Sequence, residues 1–316
     1  MSLPEPTLLD HYLVVGNPVA HSQSPFIHAM FARATSQALR YGRLLCPVDE
    51  TGGFARRVRA FAASTGGEIG EFDAAATGRF GGSARGCNIT VPFKFEAFAL
   101  GARHTERAAL AQAANLLSFE PAASGGWLAD NTDGAGLVRD IEYNACMPLA
   151  GQRVLLIGAG GAAAGALGSL IAAKPAALVL CNRTPDKAHA LAARHADWAA
   201  AHGVALSVRL THEPGSNFDV VVNASASSLQ AGAPPVPASV LRAGALALDM
   251  MYGAAARPYL AWAALHGARG RDGLGMLVEQ AAEAFFVWRG VRPETASVLA
   301  ALQQRLADAA ATRAAP

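Results

Sequence analysis

Residues 154–165 constrain the fold of this chain more tightly than any other stretch. Val154-Leu155-Leu156-Ile157 is an unbroken apolar run. Such a run suits a strand covered on both faces, the condition of a parallel sheet. Gly158-Ala159-Gly160-Gly161 then turns the chain, and Ala162-Ala163-Ala164-Gly165 opens an alanine-rich helix. Parallel strands need a crossover, and a helix is the usual one. Further short apolar runs end at small or polar residues. They are Leu178 to Cys181 before Asn182-Arg183-Thr184, Asp219 to Asn223 before Ala224-Ser225, and Leu246 to Met250 before Met251-Tyr252. The alternation predicts an α/β domain on a parallel, doubly wound sheet.

The same turn carries a chemical expectation. Gly158 permits a tight turn, Gly160 lets a pyrophosphate approach the backbone, and small Ala163 lets helix and strand pack closely. The helix N-terminus then offers N–H groups and partial positive charge to phosphates. A structural glycine turn is the other reading, but the strand before it and the helix after it supply the context of a dinucleotide site. The end of the next strand selects the dinucleotide. An NAD site places a carboxylate there for the ribose hydroxyls. This chain has Asn182, Arg183 and Thr184, followed by Lys187. Two cations and a hydroxyl suit a 2′-phosphate, which points to NADP. The alternative is a surface basic cluster.

The N-terminal part has a second α/β pattern. Tyr12 to Gly16 is predicted as a strand stopped by Asn17-Pro18, with Ser24 as N-cap and Pro25 as first residue of the next helix. Residues 40 to 48 are expected as a strand, 53 to 63 as a helix, and 64 to 85 as a long surface loop. Gly86-Cys87-Asn88-Ile89-Thr90-Val91 is predicted as a strand with Asn88 and Thr90 on one face, stopped by Pro92. Lys94 then stands near a strand's carboxyl end, where open α/β sheets place their ligands. By itself Asp133, in Asn131-Thr132-Asp133-Gly134, fits an N-cap for the following apolar helix. His21-Ser22-Gln23-Ser24 likewise fits helix entry alone, and His21 has no visible partner. From Leu274 onward the apolar spacing predicts helix, with Leu277, Ala281, Ala284, Phe285 and Trp288 on one face.

Bulk properties narrow the class. With 316 residues, 52% hydrophobic and 16% charged, the chain can bury two ordinary cores. A net charge of +2 with no basic block gives no steering of nucleic acid. The four cysteines form no C-x-x-C pair, so reduced cytosolic thiols are expected rather than disulfides or a zinc site. Met1 leads into Pro4-Glu5-Pro6, unlike a signal peptide, and no segment is expected to span a membrane. These points predict a cytoplasmic protein with a small-molecule partner, with no nucleic acid, membrane or metal, and present as a monomer or homodimer.

Taken together, these runs closely resemble the shikimate dehydrogenase family, over nearly the whole chain and in the family's motif order. Gly16-Asn17-Pro18 through Ser24-Pro25 is similar to its opening motif. Asn88-Ile89-Thr90-Val91-Pro92-Phe93-Lys94 and Asp130-Asn131-Thr132-Asp133-Gly134 are similar to its two central ones. Gly158 to Ala162, Asn182-Arg183-Thr184, Asp249-Met250-Met251-Tyr252 and Asp272-Gly273-Leu274-Gly275-Met276-Leu277 also stand at the expected places.

The resemblance implies NADP-dependent reduction of 3-dehydroshikimate to shikimate, in aromatic amino-acid biosynthesis. It implies that Ser22 and Ser24 hold the substrate carboxylate. Asn88, Thr90, Asn115, Asp133 and Gln280 would hold ring hydroxyls, with Tyr252 also at the substrate. Lys94 and Asp133 would form the catalytic pair. Gly158, Ala159, Gly160, Gly161 and Ala162, with Asn182, Arg183, Thr184 and Lys187, would hold adenosine and pyrophosphate. Asn223, Ala224, Ser225, Met250, Gly273 and Met276 would line the path to the nicotinamide. It also implies two domains with a cleft between them. Residues 1–132 bind substrate, completed by helices in 274–316, and residues 133–273 form a Rossmann-like NADP domain.

The chain departs from the family pattern at several places. Residues 67 to 85 look like an insertion, Leu116 stands where the family has threonine, and Ser228 where it has glycine. Arg257-Pro258 replaces the family's T-P after the tyrosine. Two rivals follow from the same residues: a quinate/shikimate dehydrogenase with NAD or mixed cofactor use, and a catalytically silent ligand-sensing relative. Ser22, Ser24 and Arg183 favour shikimate and NADP, and intact Lys94 and Asp133 oppose the silent reading.

Overall fold

The computed structural model describes residues 8–48, 50–65, 69–72, 82–225 and 234–314. The chain divides into two units, Met1–Thr132 with Ala281–Leu302, and Asp133–Gln280 with Gln303–Pro316.

The first unit alternates strands and helices: β1 (Asp10–Gly16), α1 (Ser24–Ala34), β2 (Leu39–Leu45), α2 (Gly53–Ala63), β3 (Glu71–Phe72), β4 (Ala84–Ile89), α3 (Lys94–Leu100), β5 (Arg103–His104), α4 (Glu106–Ala111), β6 (Leu116–Ser118) and β7 (Leu128–Asp130). Its seven strands lie in the order β3-β2-β1-β4-β6-β7-β5. The β2-β1-β4 centre is parallel, while β3 and β6 run antiparallel to their neighbours. One face of the centre packs Leu13, Val15, Phe54, Val58, Phe61 and Phe93, with Phe54 and Phe93 stacked at 4.9 Å. Each fully buried side chain of this size stabilises by roughly 1.5–3 kcal/mol.

Three local expectations are corrected here. Residues 64–85 are not simply a loop: Glu71–Phe72 pairs with Gly42 and Arg43, Thr65 bridges Ser83, and β4 already starts at Ala84. Arg40 lies over the Phe72 ring at 4.0 Å, a cation–aromatic contact that the local composition does not reveal. The 66–68 and 73–81 parts of that stretch lie outside the described residues. The strand expected to run to Val91 ends at Ile89, because Thr90 N–H turns to Val15 O and Phe93 N–H closes back on Thr90 O. Ser24 is the first residue of α1 rather than its cap, since its hydroxyl is engaged by side chains and Gln23 precedes the helix.

The second unit starts with α5 (Asp133–Arg139), which runs into a π-helical turn at Asp140–Asn144. Then come β8 (Arg153–Ile157), α6 (Gly161–Ala172), β9 (Ala177–Cys181), α7 (Pro185–Arg194), α8 (Ala196–His202), β10 (Ala205–Arg209), β11 (Phe218–Asn223), β12 (Leu241–Asp249), α9 (Arg257–Leu265) and β13 (Arg269–Arg271). The six strands lie in the order β10-β9-β8-β11-β12-β13, all parallel. Renumbered within the unit this is 3-2-1-4-5-6, the doubly wound order of dinucleotide-binding folds. Val154, Leu155, Leu156 and Ile157 are buried on both faces, which is why that segment carries no polar alternation.

The chain ends in α10 (Leu274–Arg289) and α11 (Ala296–Ala314), so the helical C-terminal run is interrupted at 290–295. Asp140 and Arg271 form a bidentate ion pair in the second unit, with Nε–Oδ2 at 2.7 Å. Among the described residues no helix is long and apolar enough to cross a membrane.

Candidate active site

In the first unit the carboxyl ends of β1 and β4 bring the polar candidates together. Gly16 makes this possible: a Cβ there would sit 2.2 Å from Thr90 Cγ2. Asn17 N–H donates to Val91 O at 3.0 Å, tying the two strand ends. Ser22 Oγ accepts from Ser24 N–H at 3.3 Å and donates to Ser24 Oγ at 3.2 Å. Arg43 on β2 donates to Ser22 O at 2.9 Å and fixes that segment from the sheet side.

Asn88 and Asn115 form the next layer. Asn88 Nδ2 donates to Asn115 O at 3.1 Å, and Asn115 Nδ2 donates to Thr132 Oγ1 at 2.9 Å. Thr132 N–H returns a bond to Asn115 Oδ1 at 2.8 Å. Lys94 begins α3, and its carbonyl accepts from Ala114 N–H at 2.8 Å, one residue from Asn115. A cation in the first turn opposes the helix dipole, so helix stability does not explain a lysine there. The first unit therefore gathers two hydrogen-bonded pairs, Ser22 with Ser24 and Asn88 with Asn115, with Thr90 and Lys94 on the backbone adjoining the second.

In the second unit the remaining candidates lie at strand carboxyl ends. Gly158–Ala162 follow β8, Asn182–Lys187 follow β9, Asn223–Ser225 follow β11, Met250 and Tyr252 follow β12, and Gly273 and Met276 follow β13. The β8/β11 boundary is where strand order reverses, the crevice in which such sheets bind ligands. Gly158 has φ +116, and a Cβ there would meet Ala224 O at 2.8 Å, so only glycine lets the two loops close up. Ala224 N–H donates to Ile157 O at 2.8 Å across the boundary.

The glycine turn fits a pyrophosphate. At Gly160, the residue preceding α6, no described residue other than its chain neighbours comes within 4 Å of where a Cβ would stand, which leaves room for a phosphate at the helix entrance. The first turn of α6 carries no acidic residue. After β9, Asn182 Nδ2 donates to Thr184 O at 2.9 Å and shapes the turn, leaving Arg183, Thr184 and Lys187 exposed. That donor set suits a phosphate monoester on the ribose.

Asp133 is the first residue of α5 and is buried, so it stands inside the helix rather than at a preceding cap position. Gln280 is buried on α10 and donates to Leu277 O at 2.9 Å. Burial, then the nearby Asp272 charge, raises the Tyr252 phenol above its ordinary range, so it is a neutral donor.

Several structural supports escaped the sequence reading. Asp249, fully buried, accepts from Met251 N–H at 2.9 Å and from Asn223 Nδ2 at 3.3 Å, which fixes the β11 and β12 ends. Asn223 Oδ1 in turn accepts from Ser225 Oγ at 2.7 Å. Its signal was a carboxylate closing an apolar strand, with no local partner to explain it. Asp130 is clamped by Arg107, which also reaches Glu283 on α10 at 2.8 Å. Tyr41 meets Asn88 across 47 positions of sequence, beyond any local pattern.

Comparison with known proteins agrees with this layout. The family model for Shikimate / quinate 5-dehydrogenase matches residues 142–231, and that for Shikimate 5'-dehydrogenase C-terminal domain matches residues 273–303. The shikimate dehydrogenase (NADP(+)) of Methylibium petroleiphilum is 59% identical over 93% of this chain and 94% of its own. Among solved structures, an Ael1 enzyme from Pseudomonas putida is 43% identical with a TM-score of 0.77, covering 93% of this chain and 98% of that one. Shikimate 5-dehydrogenase from Thermus thermophilus, in complex with NADP(H) and shikimate, is 25% identical with a TM-score of 0.75, covering 94% and 99%. Identity at this level over nearly the full length of both chains places the protein in the shikimate dehydrogenase family.

Proposed function

We propose that the protein reduces 3-dehydroshikimate reversibly to shikimate with NADPH, in the route to aromatic amino acids. The observation that carries this is the pair of hydrogen-bonded contacts Ser22–Ser24 and Asn88–Asn115 at strand ends of the unit that also holds Lys94, in a chain whose second unit offers a turn fitted to NADP. Ser22 and Ser24 hold the carboxylate, while Asn88, Thr90, Asn115 and Gln280 hold ring hydroxyls, with Tyr252 at the substrate. Gly158, Ala159, Gly160, Gly161 and Ala162 hold the pyrophosphate, and Asn182, Arg183, Thr184 and Lys187 the 2′-phosphate. Asn223, Ala224, Ser225, Met250, Gly273 and Met276 line the nicotinamide side. Bound NADPH supplies the two electrons and one hydrogen that the ketone carbon requires. Lys94 hydrogen-bonds the carbonyl oxygen, stabilises its growing negative charge and delivers the one proton that the oxygen takes up. Asp133 orients Lys94 and binds the reacting hydroxyl. In the reverse direction the same pair takes the hydroxyl proton. The substrate is a small molecule, and the setting is cytoplasmic.

A steady-state assay crossing shikimate and quinate with NADP and NAD tests the reading. Turnover confined to shikimate with NADP is the expected result. Comparable rates with quinate or NAD would make the enzyme a broad-specificity quinate/shikimate dehydrogenase, and no turnover with any pair would leave a silent ligand-binding relative. Replacing Arg183 and Lys187 together by alanine should raise the NADP KM by roughly ten- to a hundredfold and leave the NAD KM nearly unchanged, because each charged hydrogen bond is worth about 1.5–3 kcal/mol when buried and less when exposed. Equal effects on both cofactors would remove these residues from 2′-phosphate recognition.

A further inference from the structure

Tyr41 belongs to β2, two strands from Asn88 on β4, with β1 between them. The registers pair Tyr12 with Tyr41 and with Gly86, so Tyr41 and Asn88 share one face of the sheet, Asn88 lying two residues farther along β4. Its phenol reaches across β1 and donates to Asn88 Oδ1 at 2.7 Å. Tyr41 is 4% exposed, and its ring lies parallel on the His28 imidazole at 4.2 Å. Burial pushes His28 down to about 3, so the imidazole under the phenol is neutral. The Tyr41 hydroxyl itself is held protonated, chiefly by burial.

The network sets the direction of each bond. The Asn115 carbonyl can only accept, so the Asn88 amide nitrogen must face it and the Asn88 oxygen must face Tyr41. The Tyr41 proton is then committed to Asn88, while Ser22 donates to Ser24. One amide hydrogen of Asn88 is taken by Asn115, and the other is fixed in direction.

We propose that Tyr41 is a positioning residue for the substrate: its phenol locks the Asn88 amide in the orientation that leaves a donor for a substrate hydroxyl. This rests on the assignment of Asn88 to the substrate made above. Tyr41 keeps its bond to Asn88 throughout. No bond is made or broken in this role, so it acts on substrate binding rather than on the chemical step.

The test is Tyr41→Phe, which keeps the ring on His28 and removes only the hydroxyl. Loss of the donor leaves the buried Asn88 oxygen unsatisfied, so the shikimate KM should rise roughly ten- to a hundredfold. The kcat should stay within about threefold and the NADP KM should not move, the pattern of lost ground-state binding. In an Asn88→Ala background the same change should have little further effect, because interacting residues are non-additive. An unchanged shikimate KM, or an equal rise in both backgrounds, would overturn the proposal. A purely structural role would lower the melting temperature and the active fraction without a selective rise in shikimate KM, and that outcome overturns it too. If Asn88→Ala alone leaves the shikimate KM unchanged, the substrate assignment fails first and the proposal falls with it. Should the phenylalanine variant not fold, 3-fluorotyrosine placed at position 41 alone gives a second measurement. Its fluorine resonance should shift saturably with shikimate, and a resonance unmoved at saturation would count against the role.

Discussion

Lys94→Ala should lower kcat by roughly a thousandfold or more while the protein stays folded and retains NADPH affinity. Two contributions are lost together: a positioned proton donor, worth about a hundred- to ten-thousandfold, and a charge stabilising the alkoxide, worth about a hundred- to a thousandfold. They belong to one group and do not simply multiply. Lys94 is half-buried at the start of α3, and that helix is tied to its surroundings by backbone bonds, such as Ala114 N–H to Lys94 O, that alanine preserves. Stability should therefore change little. Lys94 is assigned no bond to the cofactor, so the NADPH dissociation constant should move by less than about twofold. Lys94→Arg separates the two contributions. Arginine keeps the charge but does not give up a proton in proteins, so partial rescue would assign Lys94 mainly to charge stabilisation. A kcat unchanged in Lys94→Ala would remove the lysine from the mechanism.

Arg107→Ala should destabilise the first unit strongly, costing roughly 3–5 kcal/mol. Arg107 grips Asp130 through two bonds of 2.6 and 2.7 Å and reaches Glu283 on α10 at 2.8 Å. Asp130 is 1% exposed, so without Arg107 its charge is left buried with only the Thr105 hydroxyl and the Asn131 N–H as partners in this network. Burial raises the Asp130 pKa, but the hydrogen bonds and charge of Arg107 outweigh that and hold it below its ordinary value. Glu283 behaves likewise, with burial opposed by Arg292 and Arg107. A depressed carboxylate stabilises the fold above its unfolded pKa of about 4 and loses that contribution as pH falls through the lower folded value. The gap between wild type and Arg107→Ala should thus be full near neutral pH and shrink below about pH 4. Urea unfolding at both pH values measures it. A gap that is absent, or that stays constant with pH, would show that the cluster is not a stabilising ion network. Asp130 also leads directly into Asn131, Thr132 and Asp133, so the variant should weaken activity even where it remains folded.

Parts of this layout depend only on neighbours in sequence and were legible there. The run Val154–Ile157 followed by glycines needs no distant contact to become a buried parallel strand and a tight turn. The polar but uncharged-to-basic run Asn182-Arg183-Thr184 at the very end of β9, where an NAD site has its carboxylate, likewise expresses local sequence. Lys94 stood out as a lysine near a strand's carboxyl end, whereas Asp133 read locally as a helix cap and took its role only from the family resemblance. The limits were of the same kind. Residues 64–85 looked like loop because Glu71–Phe72 has no strand pattern of its own, and its pairing depends on the exposed edge of β2. Ser24 looked like a cap because capping is the local use of a serine before proline, whereas its hydroxyl accepts from Ser22 and the helix already begins at Ser24.

The sequence by itself determined the class of fold, the two α/β patterns, the NADP-type turn and the residue types at each strand end, because short-range sterics and apolar periodicity dictate them. Only the tertiary structure decided which side chains hold those residues in place. Tyr41 reaches Asn88 through the register of three strands, Arg107 reaches Glu283 across 176 positions, and Asp249 joins the ends of β11 and β12. Buried polar groups must find partners, and once the core has excluded water those partners are whatever the packing brings within about 3 Å, regardless of distance along the chain.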